Sequence, residues 1–402
     1  MLKGNLVVGQ SGGPTAVINA SLAGVVSEAT RRGFINDLYG MRWGIQGFLE
    51  EELVDLGGES EDTWRLIRDT PSSALGSCRL KLRDEHLPRV LDVLEKHDIR
   101  YFFYIGGDDS QNTTHRVIEY CRAQGYELAG IGIPKTVDND LFGTDHTPGY
   151  GSAARYVALS AQQGGVLARD MRKVDPVLVY QSVGRDAGWL PAAAALAKQC
   201  EEDAPHLIYV PERPFTRERL LADVERCYSR YGFVSIVVGE GIVYPDGSPV
   251  SGTRTFDKFG NPEFGAMGGA SAAMAVKSMA CEHLDVRGEF QVVESLQMAG
   301  MDRASVVDRE EAWQAGVEAV KLAAEGESGL MVAFERAPGE SYECRYTAVP
   351  LLKVNEGKQT LPDAFIDEDN SFVTGAFVDY LRPLVGPLPE MGKLSYRPAV
   401  RD

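Results

Sequence analysis

The sequence predicts an α/β protein of two domains, each a three-layer, Rossmann-like unit with a mostly parallel sheet between helices. Short apolar runs rich in β-branched and aromatic residues recur at Leu6–Val8, Tyr101–Ile105, Ala129–Ile133, Val177–Gln181, Leu207–Val210 and Val234–Val238, the pattern of buried strands. Longer helical patterns separate them, over Val17–Arg31, Gln111–Gln124, Gly151–Arg172, Leu190–Cys200 and Arg217–Tyr231. The glycine-rich stretches follow strands and precede helices, an order that places ligands at the carboxyl ends of parallel strands.

The bulk composition fits this class. A chain of 402 residues with 44% hydrophobic and 25% charged content is long enough for two domains with sizeable cores. A formal net charge of -17 leaves no broad cationic surface for nucleic acid, so a phosphate site must be a local cluster of basic side chains and backbone amides. The six cysteines are scattered without a C-x-x-C pair, which suits a reducing cytoplasm rather than a zinc site or redox dithiol. No apolar run approaches the roughly 18 residues of a membrane span, so a cytoplasmic protein with no membrane partner is expected. The six histidines form no pair at helical spacing, and each reads as a surface or capping residue.

Taken in chain order, the first strand runs into Gly9-Gln10-Ser11-Gly12-Gly13-Pro14-Thr15 and then a helix, where bare backbone and a helix N-terminus can face an anion. A plain tight turn explains this stretch as well. Leu75-Gly76-Ser77-Cys78-Arg79 follows, with Lys81 on the same side of an extended segment. The strand Tyr101–Ile105 then delivers Gly106-Gly107-Asp108-Asp109-Ser110 to a helix start. A carboxylate there can hold magnesium on phosphate oxygens, while helix capping by Asp109 or Ser110 is the plain alternative.

After the next strand comes Pro134-Lys135-Thr136-Val137-Asp138-Asn139-Asp140. Two acids beside a lysine can divide labour, one taking a proton from an attacking hydroxyl while the cation neutralises a transferring phosphoryl group. Further on, Gln181-Ser182-Val183-Gly184-Arg185 and Val237-Val238-Gly239-Glu240-Gly241 end two more strands. The Tyr244–Gly269 stretch reads as a long loop, Ala192–Ala197 as a packed helix face, and Asp308–Glu311 with Trp313 as a solvated helix start.

In this order, Leu-Gly-Ser-Cys-Arg, Gly-Gly-Asp-Asp-Ser, Pro-Lys-Thr-Val-Asp-Asn-Asp and Val-Gly-Arg resemble the phosphofructokinases over most of the chain. The resemblance implies the phosphofructokinase fold with its active site in an inter-domain cleft. It makes Asp138 the general base, Asp140 its supporting carboxylate, Thr136 a phosphoryl-site hydroxyl, Asp108 a magnesium-site acid and Arg79 a clamp on the transferring phosphate. Gly12, Gly13, Gly107, Asp109 and Lys81 would meet the donor, and Val183, Gly184, Arg185 and Glu240 the acceptor. Residues 1–150 would form the donor domain, completed by a segment near 297–365. Residues 151–296 would form the acceptor domain, completed by the C-terminal segment. A homodimer or homotetramer is also implied.

Two positions select the donor. ATP-using relatives have glycine where this chain has Asp109, and a carboxylate about 4 Å from a phosphate charge costs on the order of 4 kcal/mol at an effective dielectric near 20. They also have glycine where this chain has Lys135, which can neutralise a diphosphate leaving group. Pyrophosphate with magnesium is therefore the expected donor system, unless Asp109 and Lys135 merely pair with each other.

The acceptor side departs from the family pattern. At Glu294-Ser295-Leu296-Gln297-Met298, Ser295 and Met298 stand where a His or Tyr and an Arg that grip the acceptor's 6-phosphate are usual. Lys173, Arg287 or Arg303 could substitute, the register could slip, or the acceptor could lack that phosphate. Fructose 6-phosphate is the first expectation, followed by another sugar phosphate or an unphosphorylated sugar or polyol. A non-catalytic sugar-phosphate-binding subunit would not need Asp138, Asp140, Asp108 and Arg79.

Overall fold

A computed structural model describes residues 2–252, 270–339 and 341–395, together with the backbone of a short ribbon at 255–256 and 262–263. Its strands are β1 (Gly4–Gln10), β2 (Ile35–Met41), β3 (Leu53–Asp55), β4 (Ile99–Gly106), β5 (Ala129–Pro134), β6 (Val177–Ser182), β7 (Leu207–Tyr209), β8 (Val234–Gly239), β9 (Thr255–Phe256), β10 (Pro262–Glu263), β11 (Gly288–Val292), β12 (Leu330–Arg336) and β13 (Cys344–Pro350). They form a seven-stranded sheet of order β13-β12-β5-β4-β1-β2-β3, a four-stranded sheet of order β11-β6-β8-β7, and the β9–β10 ribbon.

The inner strands of the large sheet pair in parallel, and only its edges, β3 and β13, run antiparallel. The smaller sheet is parallel throughout. Alternation along β1 and β4 sends Leu6, Val8, Tyr101, Phe103 and Ile105 into one apolar layer and Val7, Phe102 and Tyr104 into the other. The period of two thus builds a core on each face. The smaller sheet is sandwiched in the same way. Val179, Ile236 and Val238 face one cluster, while Tyr180 and Val237 face another that includes the helices Tyr150–Asp170 and Gly375–Val385.

In the large sheet the order reverses around β1, which lies between β2 and β4. The loops after β1 and β4 therefore leave the sheet on either side of a switch point, where open α/β sheets form a crevice. After the smaller sheet the chain returns to the large one through β12 and β13, and the helix Gly375–Val385 then packs against Tyr150–Asp170.

Several sequence expectations need correction. The helix expected over Leu190–Cys200 is a short α-helix, Trp189–Ala193, continued as a 3₁₀ turn over Ala194–Ala197. The run of small side chains packs closely there, with Ala192 to Ala195 and Ala197 buried. Asp308 and Glu311 are buried rather than solvated. Asp308 accepts the backbone N–H groups of Gly149 and Ser152, each at 2.9 Å, and so caps the helix Tyr150–Asp170 from a distant segment. His146 and His206 are also buried, against the surface reading. Much of the expected Tyr244–Gly269 loop lies outside the described residues. All six cysteines are free, and no described helix is long and apolar enough to cross a membrane.

Candidate active site

The site begins where β1, β4 and β5 end side by side, with Gln10 in register with Ile105 and Gly106 with Pro134. The Ser11 N–H donates to the Ile105 carbonyl at 3.0 Å and the Lys135 N–H to the Gly106 carbonyl at 3.1 Å. These bonds stitch the three motif loops together one residue beyond the sheet.

Lys135 turns back under the first loop. Its Nζ donates to the Gly13 carbonyl at 2.8 Å, and the side chain is 3% exposed. Gly12 is left-handed at φ +79°, and a Cβ there would stand 2.9 Å from Lys135 Nζ, so glycine meets both the backbone and the steric demand. Burial lowers the Lys135 pKa to about 8, against the opposing pull of Asp138, Asp140 and Asp108.

Three acids act on the ammonium through their charges. Burial first, and then Asp140, push Asp138 up to about 7, while Arg185 and Lys135 hold it down. Asp140 is raised by burial and by the neighbouring charge of Asp108. The Thr136 hydroxyl accepts the Asp138 N–H at 3.1 Å and also bonds Asp140, so it braces both acids. Burial and the Asp138 charge raise Glu240 to about 8, with Arg185 opposing. Lys135, Asp138, Asp140, Asp108, Arg185 and Glu240 thus share one electrostatic neighbourhood, although they come from the ends of β4, β5, β6 and β8.

Asp108 and Asp109 open the helix Asp108–Ala123, whose N-cap is Gly107. Neither Asp109 nor Ser110 caps it, and Asp108 Oδ1 accepts the Asp109 N–H at 2.8 Å. The expected alternative of an Asp109–Lys135 pair is replaced by a different one. Asp109 lies 3.6 Å from Lys81, with both side chains more than half exposed. The segment carrying Arg79 is tied to the first loop where the Ser77 hydroxyl donates to the Gly12 carbonyl at 2.6 Å, and Arg79 itself is exposed.

On the acceptor side, Gly184 is left-handed at φ +126°, and the Glu240 N–H donates to the Ser182 carbonyl at 3.1 Å. Val183 packs against the apolar cluster of the smaller sheet. Met298 closes on the donor loop, its sulfur 3.9 Å from where a Gly13 Cβ would stand. Of the cations considered as substitutes, Arg287 pairs with Asp175 at 3.2 Å. Both Lys173 and Arg287 precede the amino ends of β6 and β11, opposite the end that carries Arg185. Arg303 lies 4.5 Å from the Tyr156 ring centroid and 2.9 Å from the Ser160 hydroxyl.

Lys358 is a site residue that the sequence reading missed. Its Nζ donates to Asp186 at 2.7 Å, and the charges of Asp186, Asp140 and Asp108 hold its pKa up. Backbone contact brings it there, because Leu141 bridges Lys358 and the Gln359 N–H donates to the Asp140 carbonyl at 2.9 Å. The segment Asn355–Gln359 has no motif character, so only the fold could have placed this cation among the acids.

The pair Asp108 and Asp140 fits a divalent cation. The Asp108 charge helps raise Asp140, and carboxylate oxygens are the donors a hard cation takes.

The family described as Phosphofructokinase matches residues 5–323. The chain is 38% identical to a pyrophosphate--fructose 6-phosphate 1-phosphotransferase of Halomonas elongata, over 98% of this chain and 97% of the relative. It is 34% identical to a sulfofructose kinase of Alkalicoccus urumqiensis, over 91% of this chain and 93% of the relative. The crystal structure of a pyrophosphate-dependent phosphofructokinase from Marinobacter aquaeolei has a TM-score of 0.87 at 35% identity, covering 99% of this chain and 95% of that one. With the glycine-rich and acidic loops converging on one buried lysine, and with sequence and fold alike over nearly the full length, this chain belongs to the phosphofructokinase family.

Proposed function

We propose that the protein transfers a phosphoryl group from pyrophosphate to the 1-hydroxyl of fructose 6-phosphate, reversibly and with Mg2+ as the divalent ion. The observation that carries this reading is Lys135. It is buried, with its ammonium bonded to the carbonyl of Gly13 and in the field of the acids Asp138, Asp140 and Asp108, a place where its charge can stabilise a diphosphate.

In this reading the backbone around Gly12, Gly13 and Gly107 cradles the donor, and Arg79, Lys81 and Lys135 neutralise its oxygens. Asp108 with Asp140 would hold the magnesium ion, which supplies further neutralisation of phosphate charge. Asp138, raised to about 7, is matched to accept the acceptor's hydroxyl proton near neutrality. As the new P–O bond forms, the bridging P–O bond of pyrophosphate breaks and orthophosphate leaves beside Lys135 and Lys358. Asp109 excludes nucleotides by its charge, with Lys81 holding it in place. Val183, Gly184, Arg185 and Glu240 orient the sugar.

Residues 1–150 with the returning β12 and β13 serve as the donor domain in this reading, and the smaller sheet with the C-terminal helix serves as the acceptor domain. A cytoplasmic homodimer or homotetramer is part of the same proposal.

One observation favours a second reading of the acceptor. Ser295 and Met298 replace the cationic grip expected for a 6-phosphate, and a relative over nine-tenths of the chain is named a sulfofructose kinase. An acceptor carrying a 6-sulfonate is the alternative substrate.

Initial rates with magnesium, with pyrophosphate or ATP against fructose 6-phosphate, its 6-sulfonate analogue and unphosphorylated fructose, test both readings. Turnover is expected with pyrophosphate and fructose 6-phosphate. Turnover with ATP alone would overturn the donor assignment, and turnover of the sulfonate alone would replace the acceptor.

A further inference from the structure

Trp43 takes no part in the steps above, yet its backbone is held where a bulky residue rarely sits. It lies in the left-handed region at φ 56° and ψ 33°, a conformation that persists only when the surroundings over-determine it and that gathers at functional sites. The next residue, Gly44, is left-handed too. The Trp43 N–H donates to the Leu75 carbonyl at 2.9 Å. Two residues on, the Ile45 N–H donates at 3.0 Å to the hydroxyl of Tyr104, which is buried near the end of β4.

The indole does not enter a core, and Trp43 is 46% exposed. The ring lies instead against Gly76, where a Cβ would stand 2.3 to 3.0 Å from three ring carbons. Gly76 is itself left-handed at φ +77°, so the indole covers the bend of the segment that leads to Arg79. One residue further, the Ser77 hydroxyl holds that segment to the Gly12 carbonyl. The Arg42 guanidinium lies 5.1 Å from the ring centroid, a cation–π contact on the same indole. Hydrophobic burial does not account for a half-exposed indole, whereas contact with a bare glycine bend needs a flat face at this position.

We propose that Trp43 is a positioning residue for the phosphoryl donor, acting through Gly76 to set Arg79 against the Gly12–Gly13 loop. This inference rests on the donor reading of those two loops. Trp43→Ala in the full chain is expected to raise KM for pyrophosphate roughly tenfold to a hundredfold, the scale of a misplaced binding group. The acceptor KM should stay within about twofold of wild type, whereas kcat falls along with the rise in donor KM, because Arg79 clamps the phosphoryl group being transferred. Trp43→Phe keeps a flat ring and should restore most of the loss. Should Trp43→Ala fail to fold, Trp43→Leu keeps bulk without the flat face and is expected to show the same selective rise.

An unchanged pyrophosphate KM in a folded variant, or an equal rise in both KM values, would overturn the proposal while leaving the donor reading intact. If wild type does not turn over pyrophosphate at all, the donor reading falls and this inference falls with it.

Discussion

Two clusters of acids share the segment from Lys135 to Gly149, and they treat charge in opposite ways. Around His146 every acid has a partner. Its Nδ1 meets Asp145 and its Nε2 meets Glu311, each at 2.8 Å, and Glu311 also accepts the Tyr342 hydroxyl. Burial alone would lower the His146 pKa, but the two carboxylates raise it to about 9, and Asp145 is lowered in return despite its burial. Around Asp138 the acids outnumber their cations, and burial with mutual repulsion raises Asp138, Asp140 and Glu240. A satisfied cluster holds a fold together, whereas an unsatisfied one holds free energy that a bound cation and a proton-donating substrate can release. The first cluster therefore reads as the anchor and the second as the reacting end of one loop.

Substitutions can break this contrast, and the largest effect is expected at Asp138. Asp138→Asn should lower kcat by about 10²–10⁴-fold, the contribution typical of a general base. Its melting temperature should not fall, because one of several repelling acids has been removed. A stability loss equal to that of a core mutation would show that Asp138 is structural.

His146→Ala should do the reverse. It strands Glu311 as a buried anion, leaves Asp145 with Arg336 as its remaining cation, and should cost about 3–5 kcal/mol of unfolding free energy, read from the denaturant midpoint. The pH dependence supplies its sign. His146 binds its proton more tightly in the folded chain, so its contribution is fully present below its unfolded pKa near 6.5. It is lost as pH rises through the folded value of about 9. Wild type should therefore lose part of its stability between those values, and His146→Ala should lack that part. Parallel stability curves for the two proteins would refute the imidazolium anchor.

The smallest effect sharpens the comparison at the surface. Lys81 and Asp109 are 3.6 Å apart and largely solvated, so a double-mutant cycle on stability should give a coupling of about 1 kcal/mol or less. A larger coupling would move this pair into the buried class.

Much of the unsatisfied cluster was legible because each motif is local. Gly106–Ser110 and Pro134–Asp140 each sit at the end of an apolar run, and short spacing alone puts their acids at a strand terminus. The anchor was not legible. His146 and Glu311 are 165 residues apart in the chain, and a lone histidine beside Asp145 has the pattern of any polar turn. Asp308–Glu311 likewise has the composition of a solvated helix start until the helix Tyr150–Asp170 is packed on it. Lys358 and Trp43 escaped for the same reason, since each is placed by a backbone contact with a remote segment. The short helix after Gly188 was misjudged because a run of alanines states helix propensity without stating how tightly the neighbours will wind it.

By itself, the sequence determined the α/β class, the strand-end position of each glycine-rich and acidic loop, and the residue types able to move a phosphoryl group. The first two follow from periodicity and spacing within about a dozen residues, and the third from the resemblance of the motifs, in their order, to the phosphofructokinases. Only the tertiary structure decided which carboxylates are paired and which are left in repulsion, that Lys135 lies under Gly12 and Gly13, and that Lys358 joins the acids. Burial and charge pairing depend on through-space neighbours, and the parallel crossovers of this fold bring those neighbours from segments far apart in the chain.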